Sequence, residues 1–221
     1  MGIREAKTGQ MMNREWSRAE LEQSAPWLKR MNAKGNDVYV RPAGAHGLVL
    51  VDDVKPAMLE KMRRDGLAAA ACIDTSPGSY RAWGELSDRP LAADVRRVAA
   101  QALAKHYDGD PNSADSRHYG RLAGFTNQKP QHAKDGRQPY VLAHDCPGKP
   151  AERAQALLET VGQGLARAEA EKARSARLEA LEGYKSPGHG WHSDHGHEYQ
   201  RQAKRLIERY GKTAGFSRLD W

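Results

Sequence analysis

The feature that most constrains this chain is Leu48-Val49-Leu50-Val51 followed at once by Asp52-Asp53. Four consecutive apolar residues predict a buried strand. Two carboxylates at its end are hard oxygen donors of the kind that bind Mg²⁺ or Mn²⁺. Neighbours on a strand point to opposite faces, so one Asp lines a site and the other turns away, unless the strand ends and twists there. The plainer reading is a cap on the next helix, where Val54-Lys55-Pro56 puts a proline near the first turn. The rest of the sequence favours the metal site.

The elements around this strand are legible from their periods. Ser17-Arg18-Ala19-Glu20 is a capping-box pattern that opens a helix, and Pro26 kinks or divides it. Residues before about Arg14 are polar and expected to be loose. Asp37-Val38-Tyr39-Val40-Arg41-Pro42 reads as a strand stopped by its proline, and Gly44-Ala45-His46-Gly47 as a turn, so an antiparallel hairpin with the organising strand is expected. A helix follows over 56–64, ended by Asp65-Gly66. Residues 68–73 and Tyr80-Arg81-Ala82-Trp83 read as strands about a Pro77-Gly78 turn, and 90–106 as an amphipathic helix. Gln138 to His144 is a last short strand. The alternation predicts an α+β or α/β domain.

At 221 residues the chain accommodates one large domain, or one domain with a helical appendage. Its mean hydropathy of −0.82, net charge of +7 and pI of about 9.4 favour a polyanionic partner, nucleic acid first and a membrane surface second. The excess is local: Arg117, Arg121, Lys129, Lys134, Arg137 and Lys149 stand against Asp135 and Asp145. Cys72 and Cys146 lack metal-ligand spacing, which implies a reduced, cytoplasmic chain. No signal peptide is read at Met1-Gly2-Ile3-Arg4-Glu5, and no apolar run is long enough to span a bilayer.

From Tyr107 to Lys129 no period is sustained, and acids, cations and glycines crowd together as they do in loops that carry chemistry. Gly120-Arg121-Leu122-Ala123-Gly124-Phe125 lets backbone N–H groups approach a phosphate beside Arg121 and Lys129. Gly148-Lys149-Pro150 reads as a hinge, giving domains of 1–150 and 151–221. Residues 151–182 read as one or two charged helices interrupted by Gly162 and Gly164, and 198–210 as a further helix. The ending Leu219-Asp220-Trp221 suggests continuation into another helix. His189, His192, His195 and His197 read as a solvated, Gly-rich linker rather than a zinc site, with no cysteine nearby.

Three segments carry a resemblance: Leu50-Val51-Asp52-Asp53, the turn from Thr75 through Ser76-Pro77-Gly78-Ser79-Tyr80-Arg81-Ala82 to Trp83, and the loop from Arg121 to Pro130. In this order and spacing, over about 36–132, they resemble the RepB-type replication primases of mobilisable plasmids, a branch of the archaeo-eukaryotic primase and primase-polymerase group that is sometimes fused to a relaxase. The resemblance implies an RRM-like catalytic core of antiparallel sheet and flanking helices, with a C-terminal helical segment. It implies Mg²⁺ or Mn²⁺ held by Asp52, Asp53 and a third acid. Asp115, six residues before Arg121, suits the wider pattern, and Asp110 in Gly109-Asp110-Pro111 is the other candidate. Many relatives have a His where this chain has Arg81.

The implied activity is nucleotidyl transfer that makes short primers on single-stranded DNA at a replication origin from nucleoside triphosphates. Two metals would activate the attacking 3′-hydroxyl and stabilise the leaving pyrophosphate. Arg81, His118, Arg121 and Lys129 would neutralise the triphosphate, with Arg41, Ser76 and Asn127 as further nucleotide or template contacts. For Arg41 a surface ion pair is the plainer reading. Tyr80 and Trp83, or Tyr119 and Phe125, would stack on template bases or simply pack. A replicative helicase or a fused relaxase is the implied protein partner; no membrane is. The rivals are a non-catalytic module that binds single-stranded DNA at an origin, and a metal-dependent nuclease.

Overall fold

Pairing between distant strands governs the architecture. The computed structural model describes residues 1–5, 7–115, 117–182, 201 and 205. In chain order the elements are β1 (Gly2–Glu5), β2 (Met11–Asn13), α1 (Arg18–Gln23), α2 (Ala25–Ala33), β3 (Asn36–Val40), β4 (Leu48–Val54), α3 (Pro56–Arg64), β5 (Ala71–Ser76), β6 (Ser79–Glu85), α4 (Ala93–His106), β7 (Gly120–Arg121), β8 (Leu142–Asp145) and α5 (Ala154–Glu182), with 3₁₀ turns at Pro111–Ser113 and Pro130–His132. One sheet has the order β2-β1-β3-β7 and the other β4-β6-β5-β8, with antiparallel neighbours throughout. The fold is thus the expected α+β class.

Local chemistry explains most boundaries. Ser17 and Glu20 form the capping box, with the Glu20 carboxylate accepting from Ser17 N–H at 2.7 Å. Pro26 divides the helical stretch, since a proline fits only the first turn of α2. Asp65 caps α3. Pro77-Gly78 closes a two-residue hairpin between β5 and β6, with Gly78 at φ +75°.

Three expectations are corrected. The N-terminus is not loose: β1 and β2 form a hairpin, and β1 also pairs with β3. The polar sequence conceals this because only Ile3 of β1 reaches the core cluster. β3 and β4 are not a hairpin, because β3 is flanked by β1 and β7 while β4 pairs with β6 in the other sheet. Of the one or two helices expected over 151–182, the fold has one over Ala154–Glu182, and neither Gly162 nor Gly164 interrupts it. A glycine inside a helix costs about 1 kcal/mol relative to alanine, which weakens a helix without breaking it.

Alternation along β4 sends Val49 and Val51 into the main core, joined by Val54, with Met62 of α3, Ala99, Ala100, Leu103 and Ala104 of α4, and Ala154 and Val161 of α5. The small residues of α4 let that helix lie close to the sheet. A second cluster gathers Ile3, Leu28, Val38 and Phe125. The first compact unit runs from Met1 to Glu169. A second begins at Ala170, and its described residues, 170–182, 201 and 205, are helical. The predicted helix over 198–210 and the histidine cluster fall outside the described residues, Arg201 and Arg205 excepted. Cys72 is buried in β5 and Cys146 is exposed; neither is in a disulfide. Burial pushes the Cys72 thiol up to about 12. Among the described residues no helix is long and apolar enough to cross a membrane.

Candidate active site

The end of β4 is a bulge. Val51 pairs with Ala82 and Val54 with Tyr80, so Asp52 and Asp53 together oppose the single residue Arg81. Asp53 takes φ +59°, a left-handed conformation that Asp tolerates better than most residues. The bulge lets both acids reach polar surroundings. Neither caps α3, whose N-cap is Lys55.

Asp52 is clamped. Arg81 Nε donates to its Oδ1 at 2.6 Å and Nη2 to its Oδ2 at 2.5 Å. Arg81 Nη1 donates to the Tyr119 carbonyl at 3.1 Å, which ties the loop before β7 to the site. Burial pushes the Asp52 carboxyl up. The Arg81 hydrogen bonds and charge outweigh it, helped by Asp53 N–H and the charge of His118, and hold it below the usual carboxylate range. Asp53 is exposed, and its Oδ1 accepts from Ser79 Oγ at 2.5 Å and from Lys55 Nζ at 3.4 Å.

Of the two candidates for the third acid, the fold brings Asp110 to Asp52. Asp110 N–H donates to the Asp52 carbonyl at 2.9 Å, and Ser113 Oγ donates to Asp110 Oδ2 at 2.8 Å and lies 3.5 Å from Asp52 Oδ2. Gly109 permits this approach: a Cβ there would lie 2.6 Å from Val51 Cγ1 and 2.9 Å from the Asp52 carbonyl oxygen. Asp115 lines a pocket with Arg41, His46, Arg96 and His118.

The other predicted residues divide. Arg41 lies over the Tyr119 ring at 4.5 Å and donates to the Arg117 carbonyl at 2.6 Å. Arg121 points away from the carboxylates. Its Nε and Nη2 donate to the Asp37 carboxylate at 3.2 and 3.1 Å, with both side chains buried. Asn127 is buried and donates to the Thr75 carbonyl at 2.8 Å, and Lys129 N–H donates back to Asn127 Oδ1. Arg121 and Asn127, with Asn32 gripping Thr126, shape the 121–130 loop. Ser76 sits at the β5–β6 turn, where it pairs with Ser79. Phe125 packs in the second core cluster. Reasoning from sequence missed Ser79 and Ser113. Their only signal was position, one across the hairpin from the acids and the other three residues after Asp110.

Hard carboxylate oxygens at Asp52, Asp53 and Asp110 are the right donors for Mg²⁺ or Mn²⁺. Among the described residues no three His, Cys, Asp or Glu side chains form a ready-made cage. Mg²⁺ commonly binds through one or two carboxylates plus water and substrate phosphate rather than a closed protein cage. Arg81 leaves room, because an ionised carboxylate has about four lone-pair sites.

The two antiparallel sheets with their flanking helices form a fold shared with known primase domains. A cyanophage S-2L primase-polymerase AEP domain shares this fold, with TM-score 0.51 over 72% of this chain and 86% of that one, at 12% identity. The RepB DNA-primase N-terminal domain family matches residues 2–160, and this chain belongs to that family. The crystal structure of primase RepB′ is similar at 45% identity and TM-score 0.78, over 96% of this chain and 69% of that one. The catalytic domain of primase RepB′ in complex with initiator DNA is similar at 51% identity and TM-score 0.72, over 76% of this chain and 87% of that one. Mobilization protein A of Escherichia coli is 50% identical over 185 residues, which is 82% of this chain but 26% of that protein. A DNA primase of Acidithiobacillus ferrooxidans is 29% identical over 95% of this chain and 60% of its own length. The chain therefore spans only part of the curated relatives it matches.

Proposed function

We propose that this chain is the catalytic domain of a DNA primase that joins nucleoside triphosphates into a short primer on single-stranded DNA, in the replication of a plasmid or mobile element. The observation that carries this is the bulged end of β4, which puts Asp52 beside Arg81, Ser113 and Asp110. Bound Mg²⁺ or Mn²⁺ would supply Lewis-acid stabilisation of the attacking and leaving oxygens. Asp52, Asp53 and Asp110 would hold it. Arg81 orients Asp52 and keeps it ionised. His118 and Arg41 place positive charge where a triphosphate arrives, with Lys129 at the loop as a template contact. A DNA complex of a similar catalytic domain and a mobilization protein among the relatives support this setting. A fused relaxase or a helicase is the protein partner it implies.

Asp53→Asn tests the reading cleanly. Asn also tolerates a positive φ, so the variant removes charge without straining the bulge. It is expected to abolish Mg²⁺- or Mn²⁺-dependent primer synthesis on single-stranded template while the melting temperature holds, and chelation with EDTA is expected to do the same to the wild type. Full activity in Asp53→Asn overturns the metal role. Template shortened without added nucleotides points instead to a nuclease. Binding of DNA without any incorporation points to a non-catalytic module.

A further inference from the structure

Along the free edge of β4, near its start, lies a pocket lined by Leu50 and Trp83 together with Arg41, His46, Arg96 and His118. Leu50 is two residues from Asp52, about 7 Å along the strand. Trp83 pairs opposite Leu50, two residues on from Arg81. His118 joins the two regions, since it lines the pocket and its charge acts on Asp52.

Donors outnumber acceptors here. Arg96 Nη1 lies 2.6 Å from His46 Nε2, while His46 Nδ1 faces Leu48 N–H at 3.2 Å. A neutral imidazole has one acceptor nitrogen, yet both of these nitrogens face donors. Arg96 Nε is buried with no hydrogen-bond partner among the described residues. Asp115 is the pocket's carboxylate, and its Oδ1 already accepts from Arg117 N–H at 2.6 Å. The backbone fixes the turn that carries His46. Leu91 N–H donates to the His46 carbonyl at 3.1 Å and Leu86 N–H to the Gly47 carbonyl at 3.0 Å. A Cβ on Gly47 would fall 2.0 Å from the Ser87 carbonyl oxygen.

We propose that this pocket marks a phosphate subsite, in which Arg96 with His46, Arg41 and His118 holds a phosphate of a nucleotide at the pocket mouth. The phosphate comes either from a free triphosphate or from the DNA strand. A rigid fork of guanidinium donors matches phosphate oxygens. This deepens the primase reading and rests on it.

The test measures binding by the intact chain to two probes, ATP and a short labelled single-stranded oligonucleotide. Arg96→Gln is expected to weaken at least one of them by about ten-fold or more, the loss of a charge-assisted hydrogen bond. Arg96→Lys is expected to recover part of that loss. If the oligonucleotide is the probe affected, the slope of log affinity against log salt should fall by about one. Weakened ATP binding assigns the pocket to the triphosphate, and weakened DNA binding assigns it to the strand. Unchanged affinity for both probes in folded Arg96→Gln overturns the proposal. Should that variant fail to fold, His46→Gln is read through the same two probes with the same meaning. Neither measurement needs turnover, so wild-type chain that makes no primer overturns the function while the pocket is judged separately.

Discussion

Two aspartates are each held by an arginine fork, and the difference between the pairs is instructive. Asp37 and Arg121 are sealed, with side chains 1% and 4% exposed. Breaking such a pair leaves a buried charge uncompensated, so Asp37→Asn is expected to destabilise the protein by about 3–5 kcal/mol, read from urea unfolding. Arg121→Gln should cost a similar amount, and the double variant less than the sum. Asp52 and Arg81 border the site instead. Because the folded protein lowers the Asp52 pKa, this pair's stabilisation is complete above the unfolded value of about 3.9 and is lost as pH falls through the folded value. Unfolding measured across that acid range is expected to show a shallower loss for Asp52→Asn, from a lower starting stability at neutral pH. His46 has the same sign. Burial first, then Arg96 and Arg41, lower its pKa, so the unfolded chain takes up its proton first and stability declines below about 6.5.

At the level of elements, the decisive device is the meeting of the β4 bulge with the Gly109-Asp110 turn. Gly109→Ala would drive a methyl group into Val51 and the Asp52 carbonyl. It is expected to cut primer synthesis at least about ten-fold by shifting Asp110, a change of 1.4 kcal/mol or more in the barrier, measured as initial rate in a variant that still melts cooperatively. Much of this region was legible beforehand. The apolar run of β4, the Pro-Gly turn, the capping box and the periods of α3 and α4 are local signals, and each element formed near its expected place. Pairing across distance was not legible. Nothing in Gly2–Glu5 announces that it flanks β3, and nothing in Asn36–Val40 says that it leaves β4 for another sheet. Spacing could not say which of Asp110 and Asp115 lies against Asp52, because that depends on which turn reaches the Asp52 carbonyl. Arg121 read as a phosphate ligand because its acidic partner, Asp37, lies 84 residues earlier in the chain.

For the molecule as a whole, the core extends beyond the hinge at Gly148-Lys149-Pro150. Ala151, Ala154 and Val161 are buried in the main cluster, and Leu157, Leu158 and Leu165 pack against it. A fragment of residues 1–169 is therefore expected to unfold in one cooperative transition, while 1–150 loses those contacts and unfolds at markedly lower urea, with circular dichroism as the readout. The two thiols lead to a practical end. Cys72 is buried and keeps its proton to about 12, whereas Cys146 is exposed. Maleimide at neutral pH should attach once per chain, at Cys146, placing a fluorophore one residue beyond β8 without touching any group assigned to chemistry.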